Sequence, residues 1–177
     1  AEPDYLKVAS VQETPFGITM VNAPATWTAG GNTPAARGAG AVVAVLDTGV
    51  DTTHPDLPAA LLTESFIAGE AVEDLHTHGT HCAGIIAGNG AVGELDENFY
   101  LYGLGVAPGA SLIGQRLFDA AGGYAAPPSF ETLTRDAKRA GADIGSNSWG
   151  DDTQGQYDIS AMEFDALVRD ADALTLG

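Results

Sequence analysis

Val42-Val43-Ala44-Val45-Leu46-Asp47-Thr48-Gly49 is the stretch that decides the fold. Ala41 to Leu46 is a continuous apolar run, β-branched at Val42, Val43 and Val45. A strand apolar on both faces is one covered on both faces, the habit of a central parallel strand. Asp47-Thr48-Gly49 ends the run with turn residues. Catalytic groups of open α/β sheets collect at such carboxyl ends of strands, so Asp47 is a candidate site residue. The bland alternative is a plain turn. A third reading is the Asp-Thr-Gly loop of aspartic proteases, which needs a second such loop or a homodimer sharing one proton. The chain has a single Asp-Thr-Gly.

Outward from this strand, helical and extended patterns alternate. Ala23-Pro24-Ala25-Thr26-Trp27 starts a short helix inside an otherwise irregular arm, residues 1–40. His78 to Ala87 places Cys82, Ile85 and Ile86 at helical spacing and stops at Gly88-Asn89-Gly90. Gly90 to Gly105 is an acidic loop, and Ala110 to Leu117 a second strand. Glu131 to Ala140 is an amphipathic helix ended by Gly141. Ala142 to Ser146 is a short strand. Tyr157 to Asp172 is a last helix with Ile159, Met162, Ala166 and Leu167 on its apolar face. Leu174 to Gly177 reads as the opening of another strand. This alternation predicts an α/β fold, a doubly wound, mostly parallel sheet flanked by helices.

The chain has 177 residues, 24 acidic against 7 basic, and a net charge of −17. Lys7 and Lys138 are its only lysines. Nucleic acid and anionic membrane both demand a basic face, so neither is an expected partner. No run approaches the ~18 apolar residues of a membrane span. The first residues have neither the basic flank nor the apolar core of a signal peptide. Cys82 is the single cysteine, so no disulfide forms within the chain; it reads as a small buried apolar residue.

Three of the four histidines, His76, His78 and His81, crowd into one segment. His78 opens a helix beside Gly79. It becomes a general base if a carboxylate fixes its tautomer. A metal cluster of these histidines with Asp47 is the competing reading.

Four motifs in order resemble the subtilisin-like serine proteases, the subtilases. Val45-Leu46-Asp47-Thr48-Gly49-Val50-Asp51 with His54-Pro55-Asp56-Leu57 is similar to the family's aspartate segment. His78-Gly79-Thr80-His81-Cys82-Ala83-Gly84 is similar to its histidine segment, with the cysteine spelling of the proteinase K-like branch. Gly105-Val106-Ala107-Pro108 matches the link into the next strand, and Ser146-Asn147-Ser148-Trp149-Gly150 resembles the segment lining the substrate cleft. The resemblance runs from about Pro15 to the end and makes residues 41–177 the N-terminal part of a catalytic domain.

The resemblance implies serine endopeptidase chemistry. Asp47 would orient His78, and His78 would act as general base and then general acid. Ser148, Trp149 and Gly150 would face Gly122, Gly123 and Tyr124 across an extended peptide. Gln12 and Asp56 would hold a structural calcium, together with the loop containing Glu94-Leu95-Asp96-Glu97-Asn98. None of Ser10, Ser65, Ser111, Ser129, Ser146, Ser148 and Ser160 lies in the family's Gly-Thr-Ser context, and Asn147 is not its oxyanion-hole asparagine. Both groups are therefore expected from a downstream segment, as the second chain of a nicked enzyme. A secreted enzyme made with a prodomain is the expected setting. A catalytically inactive peptide-binding fragment and a His-cluster metallohydrolase are the alternatives.

Overall fold

The computed structural model describes residues 18, 20–60, 62–95, 101–125 and 129–170. Within them the chain forms α1 (Ala23–Ala29), β1 (Val42–Asp47), β2 (Leu62–Ser65), α2 (His78–Ala87), β3 (Ser111–Arg116), α3 (Phe130–Arg139), β4 (Ile144–Ser146) and α4 (Ile159–Asp170). A short 3₁₀ turn covers Ala35–Arg37. The four strands make one parallel sheet in the order β2-β3-β1-β4.

The apolar run becomes the strand at the heart of this sheet. Val43 and Val45 face one core with Leu112 and the α2 residues Cys82, Ala83 and Ala87. Ala44 and Leu46 face a second core with Ile113 and the α3 residues Leu133 and Ala137. Strict alternation across two covered faces is why β1 has no polar side before Asp47. Chain leaving β1 runs past β3 to β2, whereas chain leaving β3 runs past β1 to β4. Connections diverging in this way open a crevice at the carboxyl ends of β1 and β3. Asp47 lies there, in register with Arg116.

The described residues of the arm, 18 and 20–40, carry α1 and the 3₁₀ turn. α1 starts at Ala23 as read, and Trp27 packs with Ile18, Ala23 and Leu104. The Trp27 indole donates to the Val106 carbonyl (3.0 Å), and the Arg37 guanidinium sits 4.6 Å from its ring centre. Gly105, Val106 and Ala107 donate their N–H groups to the carbonyls of Gly88, Ile85 and Ile86. The Gly-Val-Ala-Pro link thus satisfies carbonyls that the end of α2 leaves open.

Several boundaries shift for local reasons. α3 begins at Phe130 because the Ser129 hydroxyl accepts from Thr132 N–H (3.1 Å), an N-cap. α4 begins at Ile159 because Asp158 caps it through Ala161 N–H (2.8 Å). The packed face of α4 also differs from the expectation. Leu167 is buried as expected, but Ile159 (77%) and Met162 (54%) are exposed, and Phe164 packs against Phe130 and Trp149 instead. β4 is shorter than expected, and β2 was not anticipated. The 174–177 strand expectation falls outside the described residues, as does part of the 90–105 loop.

Candidate active site

Asp47 and His78 come together. His78 Nδ1 lies 2.7 Å from Asp47 Oδ1, which also accepts the Thr48 N–H at 2.7 Å. The carboxylate is 1% exposed, whereas 44% of the His78 side chain is open to solvent. Asp47 Oδ2 is buried and has no hydrogen-bond partner among the described residues. The carboxylate therefore acts on the imidazole and on Thr48 N–H. This arrangement fixes the tautomer with the proton on Nδ1 and leaves Nε2 as the outward acceptor.

Two glycines permit the approach. A Cβ on Gly79 would lie 2.0 Å from the Gly49 carbonyl and 3.1 Å from Asp47 Cβ. Gly49 has φ +111°, and a Cβ there would meet Val72 O at 2.9 Å and Asp74 at 3.1 Å. The turn after β1, the 72–74 segment and the start of α2 are thus in backbone contact.

Asp74 was not singled out from sequence, yet it is the most connected side chain of the region. Its Oδ1 accepts from Thr48 Oγ1 (2.8 Å), His76 N–H (3.0 Å) and Thr77 N–H (2.8 Å). Its Oδ2 accepts from Thr80 N–H (2.8 Å) and Thr80 Oγ1 (2.6 Å). Its signal was an acidic residue just before a helix start, where the dipole favours negative charge. That signal is common enough to pass unnoticed.

Cys82 packs beneath the pair, its Sγ 3.9 Å from His78 Nδ1. Burial pushes the thiol pKa up. A hydrogen bond with Ser148 opposes the shift, and the charges of Asp47 and Asp74 reinforce it. A thiol held protonated is a poor nucleophile, in keeping with its reading as a packing residue. Among the described residues, the grouping close enough to share a metal is Asp47, His78 and Cys82, within 4.8 Å. His76 and His81 are not part of it; the His76 ring stands 6.5 Å from that of His78.

The cleft residues assemble beside the pair. Trp149 Nε1 donates to the Leu46 carbonyl (2.7 Å), pinning the segment after β4 to the end of β1. Phe118, Tyr124, Phe130 and Phe164 surround Trp149 with ring centres 5.8–6.0 Å from it. Between these rings, Gly150 and the start of α4 lies an open cavity of about 440 Å³. Gly122 and Gly123 belong to a tight turn closed by Asp119, which accepts from Ala121 and Gly123 N–H (2.8 Å each). Those donors hold the Asp119 carboxyl below its ordinary value. Among the described residues the backbone of Ser148, Trp149 and Gly150 makes no hydrogen bond.

Asp56 is buried. Its Oδ1 accepts from Val92 N–H (2.8 Å) and its carbonyl from Asn89 N–H (2.7 Å). The 89–92 turn therefore wraps this carboxylate, and a buried carboxylate oxygen is a hard donor of the kind calcium takes. Gln12 lies outside the described residues, as do Asp96, Glu97 and Asn98. No helix among the described residues is long and apolar enough to cross a membrane.

Comparison with known proteins gives the family. The Subtilase family matches residues 38–174. The major intracellular serine protease of Bacillus subtilis (strain 168) is 37% identical over 113 residues, covering 60% of this chain and 31% of that protein. Subtilisin E of Bacillus subtilis (strain 168) is 36% identical over 124 residues, covering 68% of this chain and 29% of that protein. The alkaline protease of Shouchella clausii is 40% identical over 123 residues, covering 68% and 28%. The chain thus spans less than a third of the length of these relatives. With the family matched over most of its length and Asp47 paired to His78 at the end of β1, the chain belongs to the subtilase family.

Proposed function

We propose that this chain supplies the acid and base half of a serine endopeptidase that hydrolyses peptide bonds in proteins. The observation that carries the reading is the 2.7 Å contact between a buried Asp47 and a half-open His78. Asp47 holds the imidazole with Nδ1–H inward. His78 Nε2 takes the proton of a serine as it attacks the scissile carbonyl and returns it to the leaving amine. General-base help of this kind contributes about 10²–10⁴ in rate. The serine and the oxyanion-hole asparagine of such an enzyme come from a segment other than residues 1–177.

The substrate is an extended peptide that adds a strand between Gly122-Gly123-Tyr124 and Ser148-Trp149-Gly150. A large apolar side chain of that peptide enters the aromatic cavity beside Trp149, displacing water from ring faces. Asp56 and Gln12 take a structural calcium whose chemistry is to cross-link the arm to the loop after α2. A prodomain is a further partner, and the enzyme is secreted.

Fluorophosphonate labelling followed by denaturing intact-mass analysis tests the proposal. Label on polypeptide downstream of Gly177, lost in Asp47→Asn and His78→Ala variants, is the expected result. Folded enzyme that takes up no label would leave a peptide-binding protein instead.

A further inference from the structure

We infer that Asp74 is a positioning residue for the acid–base pair, setting the distance and angle between Asp47 and His78 without touching substrate. The inference rests on the endopeptidase reading above and deepens it.

An α-helix starts with N–H groups that have no partner within the helix. In α2 the residue at the N-cap position is Thr77, and its own side chain does not cap. Two other side chains do the work. Thr48 Oγ1 accepts from Gly79 N–H (2.8 Å), and Asp74 Oδ2 accepts from Thr80 N–H (2.8 Å). These two caps are joined to each other, because Thr48 Oγ1 donates to Asp74 Oδ1 (2.8 Å). Thr48 directly follows Asp47, and Gly79 directly follows His78. Asp74 therefore holds the neighbour of the acid and the helix of the base on one carboxylate. Thr80 adds a second strut. Its hydroxyl donates to Asp74 and accepts from Asp51 N–H (2.9 Å), in the turn after β1.

The backbone just before His78 shows that this carboxylate bears load. Thr77 has φ +78° and ψ −15°, left-handed space that a β-branched residue rarely enters. Such a conformation persists only where surrounding contacts over-determine it. Here Asp74 Oδ1 binds both His76 N–H and Thr77 N–H, the two amides leading into the strained residue. Asp74 thus fixes where α2 begins and, through that, where the His78 ring points. A negative charge at a helix N-terminus is also favourable in its own right.

The test uses the full-length protease. Asp74→Asn keeps the shape but replaces one acceptor oxygen with a donor, so either the Oδ1 or the Oδ2 set of contacts is lost. The expected result is a fall in kcat of about 10²-fold, the scale of an ~1 Å misplacement, with KM within about twofold of wild type. The low-field proton resonance of His78 Nδ1–H, the signature of its short bond to Asp47, should shift or broaden in the same variant. If Asp74→Asn does not fold, Thr48→Val removes the hydroxyl that joins the two caps, and with it the Gly79 cap, and should show the same kcat loss and spectral change. Wild-type kcat and an unchanged resonance in a folded Asp74 or Thr48 variant would overturn the inference. Asp47→Asn and His78→Ala run alongside. If these retain activity, the endopeptidase reading fails first; if they are inactive while the Asp74 variant is normal, the positioning role alone fails.

Discussion

Gly79→Ala sets local propensity against tertiary packing. In a helix taken alone the change is favourable, because alanine exceeds glycine by about 1 kcal/mol in helix propensity. In this fold it is not. The added Cβ would stand 2.0 Å from the Gly49 carbonyl, a separation real Cβ atoms do not show. Reaching even 3.0 Å requires α2 to retreat from the β1 turn by about 1 Å. That retreat loosens the Gly79 N–H bond to Thr48 and the packing of Asp47 Cβ. Overpacking of this kind costs about 1–3 kcal/mol, which exceeds the propensity gain. For a domain of this size it lowers the melting temperature by roughly 2–4 °C per kcal/mol. The same ~1 Å displacement carries His78 away from Asp47, and misplacement on that scale costs about 10²-fold in kcat. The assay is paired thermal unfolding and peptide hydrolysis, the first on fluorophosphonate-inhibited enzyme to prevent autolysis. A Gly79→Ala enzyme that melts at or above wild type with unchanged kcat would refute the claim that backbone contact at Gly49 sets the geometry.

Trp149→Phe removes the bond to the Leu46 carbonyl, and urea unfolding should show a loss of about 1–3 kcal/mol; an unchanged midpoint would mean the indole does not anchor the cleft. Chelation with EGTA should lower the melting temperature of wild type more than that of Asp56→Asn, by an amount set by calcium occupancy, about 2.7 kcal/mol at a hundredfold excess over Kd. Equal response in both proteins would take calcium away from Asp56. Glu64 and its register partner Gln115 each keep a buried oxygen, Oε2 and Oε1, with no hydrogen-bond partner among the described residues. Burial raises the Glu64 carboxyl and the Asp136 charge adds to it, against a hydrogen bond from Gln115. A raised folded pKa gives stability that is complete below the unfolded value of 4.5 and lost as pH climbs through the folded one. Glu64→Gln should therefore leave stability near pH 4 almost unchanged and increase it near pH 8, as read by urea midpoints; the opposite trend would refute the assignment.

The elements read from sequence were those whose own residues carry the signal. β1 announced itself by six apolar residues in a row, and α2 and α3 by helical spacing and stop residues. β2 did not. Leu62-Thr63-Glu64-Ser65 has no strong alternation and only half-buried side chains. It is extended because β3 offers it a ladder, in register from Leu62–Ile113 to Ser65–Arg116. Of the apolar face assigned to α4, Leu167 is buried but Ile159 and Met162 are exposed, for a related reason. Periodicity identified a helix, but the five-ring cluster around Trp149 brought Phe164 into the side that packs.

The sequence by itself determined the family and its candidate residues: an acid after a buried strand, a histidine opening a helix, and the order of motifs that marks the family. These are properties of short segments, so they survive in a linear reading. Only the tertiary structure decided the 2.7 Å meeting of Asp47 and His78, the aromatic cavity against Trp149 and the place of Asp74. Each depends on residues from separate elements converging, and Asp74 most of all, since its contacts gather the turn after β1 and the start of α2 on one carboxylate. Side-chain type can suggest what a residue is able to do. Which groups lie within hydrogen-bond reach is set by how the sheet and its helices pack.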